Sequence, residues 1–158
     1  MTTEPICLDA SYLVALFDRR DALHGEARAM YGALRDHGAL TVTPDCVVNE
    51  VLTVYARRCR ERNDRGAFAA HVKLLVETIP ETAITWLYPH VPRWFAQCVA
   101  VMEEATGGVS FHDSLLRVAA DEVGYKAIVS FDAGFDSLPG LRRLGSARAV
   151  TGWFSAAG

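Results

Sequence analysis

The chain has 158 residues, 51% of them hydrophobic and 22% charged, with a formal net charge of −3. A chain of this length buries about 70% of its unfolded surface, so one domain over residues 1–158 is expected, with no disulfide or metal staple. The composition excludes a disordered tail, a collagen-like chain and a mucin-like stalk, and the negative charge weighs against sequence-independent binding to nucleic acid.

The first apolar run, Ile6–Leu8, reads as a short buried strand, and helical spacing follows over 11–18 and 22–36. A second strand is predicted at Leu40–Thr43, with helices over 44–62 and 65–78. Ala83–Leu87 reads as the third strand, 91–105 and 111–123 as helices, and Ala127–Phe131 as the fourth strand. A fifth, short strand is placed within 141–150. Strands alternating with helices indicate an α/β fold with a mostly parallel sheet. Thr43-Pro44 reads as a helix start, with Thr43 as cap and proline first inside. Ser110-Phe111-His112-Asp113 reads as a capping box, Gly107-Gly108 as the end of the preceding helix, and Gly134 and Pro139-Gly140 as loop punctuation.

The four cysteines, at 7, 46, 59 and 98, form no C-x-x-C pair and lie in apolar or helical stretches, so they read as buried thiols. The apolar run from Ile6 to Phe17 is broken by Asp9, and no run reaches the roughly 18 residues of a membrane span. The expectation is a cytoplasmic chain with no membrane partner.

Four acids occupy particular places. Asp9 directly follows the first strand and Asp132 the fourth, the side of a parallel sheet where ligands bind. Glu50 falls at the edge of an apolar arc made by Val47, Val48, Val51, Leu52, Val54 and Tyr55, with Arg57 two turns further on. Asp113 borders the arc of Leu115, Leu116, Val118, Ala119, Ala120 and Val123, with Arg117 beside it. Each has an ordinary structural reading: Asp9, Asp113 and Asp132 as caps, Glu50 as a surface partner of Arg57 worth about 0–1 kcal/mol. Four converging carboxylates would need protons or a cation, and an all-oxygen set favours Mg²⁺ or Mn²⁺ over zinc. The five histidines supply no H-x-x-x-H, and His112 reads as structural. A carboxylate-held divalent ion is a tool of phosphate chemistry.

In order and context these segments resemble the PIN-domain nuclease family, and in length most resemble its VapC toxins. The carrying segments are Leu8-Asp9-Ala10-Ser11, Val48-Asn49-Glu50, Phe111-His112-Asp113-Ser114-Leu115-Leu116 and Ser130-Phe131-Asp132-Ala133-Gly134-Phe135-Asp136. The resemblance implies a three-layer α/β/α fold with a five-stranded parallel sheet of order 3-2-1-4-5. It implies Mg²⁺- or Mn²⁺-dependent cleavage of RNA, a homodimer, and a small antitoxin protein as partner. It implies Asp9, Glu50, Asp113 and Asp132 as catalytic and metal-binding residues, with Ser11, Ser130 and Asp136 around them. Asp136 reads equally as a loop cap.

Fourteen of the sixteen basic residues are arginines, and Arg57, Arg58, Arg60, Arg62 and Arg65 crowd together, tempered by Glu61 and Asp64. Arginine suits bidentate phosphate contacts and stacking on unpaired bases, and equally a solvated helix C-terminus. Arg57 and Arg117 are the candidates nearest the acids, and Arg142 with Arg143 makes a weaker patch. Trp86, Trp94 and Trp153 suit an interface or the core. A phospho-acceptor domain would want an acidic doublet after the first strand and a late lysine, both missing here. There is no P-loop, no G-x-S-x-G and no dinucleotide fingerprint. What stays open is a PIN-like domain that binds RNA or protein without cutting, or one acting in RNA processing. With the four acids set aside, sixteen basic residues face fifteen acidic ones, so the net charge does not argue against an RNA substrate.

Overall fold

In the computed structural model, residues 4–156 are described. Strand β1 (Ile6–Leu8) leads through helices α1 (Ala10–Phe17) and α2 (His24–Asp36) to β2 (Thr41–Pro44). Helices α3 (Asp45–Glu61) and α4 (Arg65–Thr78) precede β3 (Ile84–Thr85), and α5 (Val91–Glu104) and α6 (Phe111–Val123) precede β4 (Ala127–Val129). Strand β5 (Arg142–Leu144) and helix α7 (Ala147–Ala156) follow. The five strands are parallel, in the order β3-β2-β1-β4-β5. This is the α/β/α fold and the strand order that the resemblance implies.

The central strands are the apolar ones. Ile6, Cys7, Ala127, Ile128 and Val129 are fully buried, as strands covered on both faces must be. Register brings Ile6 beside Ala127 and Leu8 beside Val129, and the Asp9 amide continues the ladder to the Val129 carbonyl at 3.1 Å. The exits of β1 and β4 therefore lie side by side. The edge strand β5 carries Arg142 and Arg143, and charged side chains discourage pairing with another chain.

The differences from the sequence reading have local causes. Pro44 is not the first helical residue but the last of β2, paired with Thr85 at φ −68° and ψ 151°, and α3 begins at Asp45. Thr43 makes no cap. The third strand is shorter than Ala83–Leu87, because the buried Asp45 carboxylate takes the Leu87 and Tyr88 amides at 2.9 Å each and turns the chain out of the sheet. The fourth strand stops at Val129: the Phe131 amide donates to Ser11 Oγ and the Asp132 amide to Ser130 Oγ, rather than to a ladder. The fifth strand lies within 141–150 as predicted, and helix α7, which the sequence did not announce, begins at Ala147. Ser146 Oγ accepts the Ala149 amide at its start, and Val150 is its buried anchor. Trp94 is buried, whereas Trp86 is 49% exposed.

All four cysteines are buried and free. Burial, with the Asp45 charge next, pushes the Cys46 thiol up to about 12, and burial holds Cys7 well above its ordinary value. The thiolate is the reactive form. The folded protein is expected to resist an aromatic disulfide reagent at pH ~8, whereas guanidinium-unfolded chains release all four thiols; rapid native labelling would contradict this burial. Among the described residues, no helix is long and apolar enough to cross a membrane.

Candidate functional site

A cleft of about 580 Å³ opens beyond the carboxyl ends of β1 and β4, and Asp9, Glu50, Asp113 and Asp132 all line it. Each is delivered by a different connection. Asp9 caps α1, Asp132 caps the short 3₁₀ turn Ala133–Ser137, Glu50 stands in the second turn of α3, and Asp113 opens α6.

The structural and the chemical readings of the three aspartates coexist, because each uses one carboxylate oxygen for the fold. Asp9 Oδ2 accepts from the Ser11 amide at 3.2 Å, from Ser11 Oγ at 2.6 Å and from Ser130 Oγ at 2.7 Å. Asp113 Oδ2 accepts from the Ser110 amide at 2.8 Å and from Ser110 Oγ at 2.7 Å, while its own amide donates back at 3.1 Å. This is the capping box read from the sequence. Asp132 Oδ1 accepts from the Gly134 amide at 2.8 Å. Among the described residues, the second oxygens of Asp9, Asp113 and Asp132 have no hydrogen-bond donor, and none of the four acids forms an ion pair.

Arg20, Arg57, Arg58 and Arg62 line the same cleft, but among the described residues none of them pairs with the four acids. Burial raises the Asp9 pKa, with hydrogen bonds from Ser11 and Ser130 opposing the rise. Glu50 is raised by desolvation first, then by the charges of Asp9, Asp113 and Asp132. Three oxygens free of protein donors, plus Glu50, make an all-oxygen donor set suited to a hard divalent cation. That set is not closed. Among the described residues, no three His, Cys, Asp or Glu side chains are already drawn together as a group that could hold an ion.

Ser11 and Ser130 lie where the resemblance implies. Their hydroxyls are 3.2 Å apart and both reach Asp9 Oδ2, so they tie α1 to the exit of β4. Arg57 lines the cleft but pairs with Glu61, at 3.8 Å, rather than with Glu50. Arg117 is not in the cleft: it turns to Asp121 at 3.1 Å and to the Pro139 carbonyl, packing over Gly140. Asp136 stands outside the cleft as well, held by Arg143. Within the arginine cluster, Arg58 and Arg62 donate to the buried Asp18 at 2.9 Å each, and Arg58 also meets Asp21 at 2.7 Å.

The sequence reading passed over Asp18 and Asp45, and took Arg143 only as part of a weak basic patch with Arg142. Asp45 had a signal, since it follows a strand as Asp9 does; Asp18 has partners 40 and 44 residues away, too distant in the chain to be seen locally.

The PIN domain family model matches residues 6–141. This chain belongs to the PIN domain family. Its fold is similar to that of Mycobacterium tuberculosis VapC20, a toxin that cleaves the sarcin–ricin loop, at a TM-score of 0.58 and 21% identity, covering 85% of this chain and 95% of VapC20. It is similar also to PAE2754 from Pyrobaculum aerophilum, at a TM-score of 0.60 and 19% identity, covering 99% of this chain and 98% of PAE2754. No curated protein gives a significant match. At these identities the two structures speak to the fold of this PIN domain.

Proposed function

We propose that this PIN domain, acting as one domain over residues 1–158, is a Mg²⁺- or Mn²⁺-dependent ribonuclease. The observation that carries the reading is the convergence of Asp9, Glu50, Asp113 and Asp132 on one cleft at the carboxyl edge of a PIN-family sheet, three of them with an oxygen free of protein donors.

In this reading Asp9, Asp113 and Asp132 would hold the ion, and Glu50 would complete the set or steer the attacking water. When bound, the cation lowers the pKa of a ligated water and offsets charge developing on the phosphoryl oxygens. Ser11 and Ser130 hold Asp9 in one orientation, which keeps its other oxygen aimed into the cleft. Water attacks phosphorus in line and the 3′ oxygen leaves, giving 5′-phosphate and 3′-hydroxyl ends. Arg57, on the cleft wall, is placed to contact the RNA backbone.

The fold likeness to VapC20, itself a toxin, agrees with a toxin role; the antitoxin partner, the homodimer and the cytoplasmic location are what the resemblance to VapC toxins implies and are part of this proposal. Purified protein incubated with a panel of structured RNAs is expected to cut in Mg²⁺ or Mn²⁺ and to stop when a chelator is added. Products should carry 5′-phosphates. Cyclic 2′,3′-phosphates, or cutting that survives the chelator, would overturn the metal-dependent reading. Failure to bind Mn²⁺ in calorimetry, with no cleavage, would favour a PIN domain that only binds.

A further inference from the structure

The segment that carries Asp132 is held from outside the cleft. Arg143 of β5 sits beside Ile128 of β4 in the sheet register, so its side chain reaches the exit of β4. Its Nε donates to Asp136 Oδ1 at 2.9 Å and its Nη2 to Asp136 Oδ2 at 2.8 Å, a two-pronged pair. Its Nη1 reaches the Ser130 carbonyl at 3.4 Å. One guanidinium thus spans both ends of the turn, two residues before Asp132 and four after it. Ser130 is also the residue whose hydroxyl joins Asp9 to the Asp132 amide.

Gly145 leaves the space for that guanidinium. A Cβ at 145 would stand 2.1 Å from Arg143 Nη1 and 3.4 Å from the Ser130 carbonyl oxygen. The severe clash is with the far end of a flexible side chain, not with backbone, so a methyl group there displaces Arg143 and leaves the sheet in place.

We propose that Arg143, seated in the space left by Gly145, is a positioning residue that braces the Asp132 turn at both ends and sets where the Asp132 carboxylate stands relative to Asp9. The consequence for metal and RNA rests on the ribonuclease reading; the brace itself does not. Lysine would not replace it, because an ammonium cannot hold both Asp136 oxygens and the Ser130 carbonyl in one plane. The Asp136 side chain is largely exposed, and exposed pairs add little to global stability, so loss of the brace acts at the turn.

The test compares wild type, Gly145→Ala and Arg143→Lys as full chains. In the metal-free proteins, amide hydrogen exchange over 130–137 is expected to quicken in both variants while exchange in α2 stays at the wild-type rate. Mn²⁺ affinity and kcat are expected to fall about 10–100-fold, with KM for RNA unchanged. Unchanged exchange over 130–137 in both variants overturns the brace. So does exchange that rises equally in α2, which marks general destabilisation. A rise in KM with Mn²⁺ affinity intact would make Arg143 an RNA contact and also overturn it. If wild type binds no Mn²⁺ and cuts no RNA, yet the turn still loosens in both variants, the brace is upheld and the ribonuclease reading fails.

Discussion

Asp9→Asn is expected to lose RNA cleavage by more than about 100-fold, past the range for residues that only support a metal ligand, while the fold is kept. The argument is atomic. Asp9 Oδ2 accepts all three anchoring hydrogen bonds, from the Ser11 amide, Ser11 Oγ and Ser130 Oγ. An asparagine carbonyl oxygen can take that place and keep α1 capped. The amide nitrogen then occupies the position of Oδ1, the oxygen left for a cation, and an NH₂ group does not ligate one. On the ribonuclease reading, the change removes one ligand atom and one charge from the cleft without touching the framework.

The same substitution is expected to leave the metal-free protein as stable as wild type or more so. Burial raises the Asp9 pKa, so the ionised form is disfavoured by folding. For a carboxylate, a raised folded value means that ionisation costs stability above that value, and the cost declines as pH falls from the folded value and is gone below the unfolded value of about 3.9. A neutral side chain removes the cost at pH 7. On the ribonuclease reading, adding Mg²⁺ is expected to reverse the order, because a ligand that binds only the folded state raises its stability by about 2.7 kcal/mol at 100 times its Kd, and Asp9→Asn would forgo much of that. Thermal melts with and without Mg²⁺, alongside cleavage rates, read both effects. Robust cleavage by Asp9→Asn would remove Asp9 from the site.

The fold and the acids were legible because their signals are local. Short apolar runs ending in an acid marked β1 with Asp9 and β4 with Asp132, and the Ser110–Asp113 capping box forms as read. The helical arc of α3 placed Glu50 at the edge of the core, and Glu50 does face the cleft. What local pattern could not supply was the partner chosen by a charged side chain. Arg117 shares a helix line with Asp113, yet it is drawn to a carbonyl 22 residues away. The arginines of α3 look like a free phosphate-binding patch, yet Asp18, 40 and 44 residues earlier, holds two of them. The third strand ends early for a similar reason: nothing in 83–87 announces that Asp45 will capture the Leu87 and Tyr88 amides. Periodicity reports the face a residue occupies, whereas ion pairs and captured amides depend on which elements the topology brings together.

Asp18 carries the largest stability effect expected outside the apolar core. It ends α1 and is 1% exposed, with Oδ1 accepting the Arg20 amide at 3.0 Å and Oδ2 accepting Arg58 and Arg62 at 2.9 Å each. Both arginines come from the C-terminal end of α3, where cations also meet the favourable end of the helix dipole. Asp18→Ala leaves Arg62 without its carboxylate, while Arg58 keeps Asp21. Removing one partner of a buried pair costs about 3–5 kcal/mol, and the lower end applies here because the arginines keep partial access to water. A loss of about 3 kcal/mol lowers Tm by about 6–12 °C in a domain of this size. Asp18→Asn keeps the acceptor for the Arg20 amide and should fall between Asp18→Ala and wild type. The pH dependence has a definite sign. Burial acts to raise the Asp18 pKa, but hydrogen bonds from Arg62, the Arg20 amide and Arg58 outweigh it and hold the group below its ordinary value. A depressed carboxylate contributes stability that is fully present above the unfolded value of about 3.9 and is lost as pH falls through the folded one. The gap between wild type and Asp18→Ala is therefore expected to stay constant from pH ~7 to ~5 and to narrow below pH ~4, in urea unfolding followed across that range. A gap that instead widens on acidification would overturn the depressed Asp18 pKa.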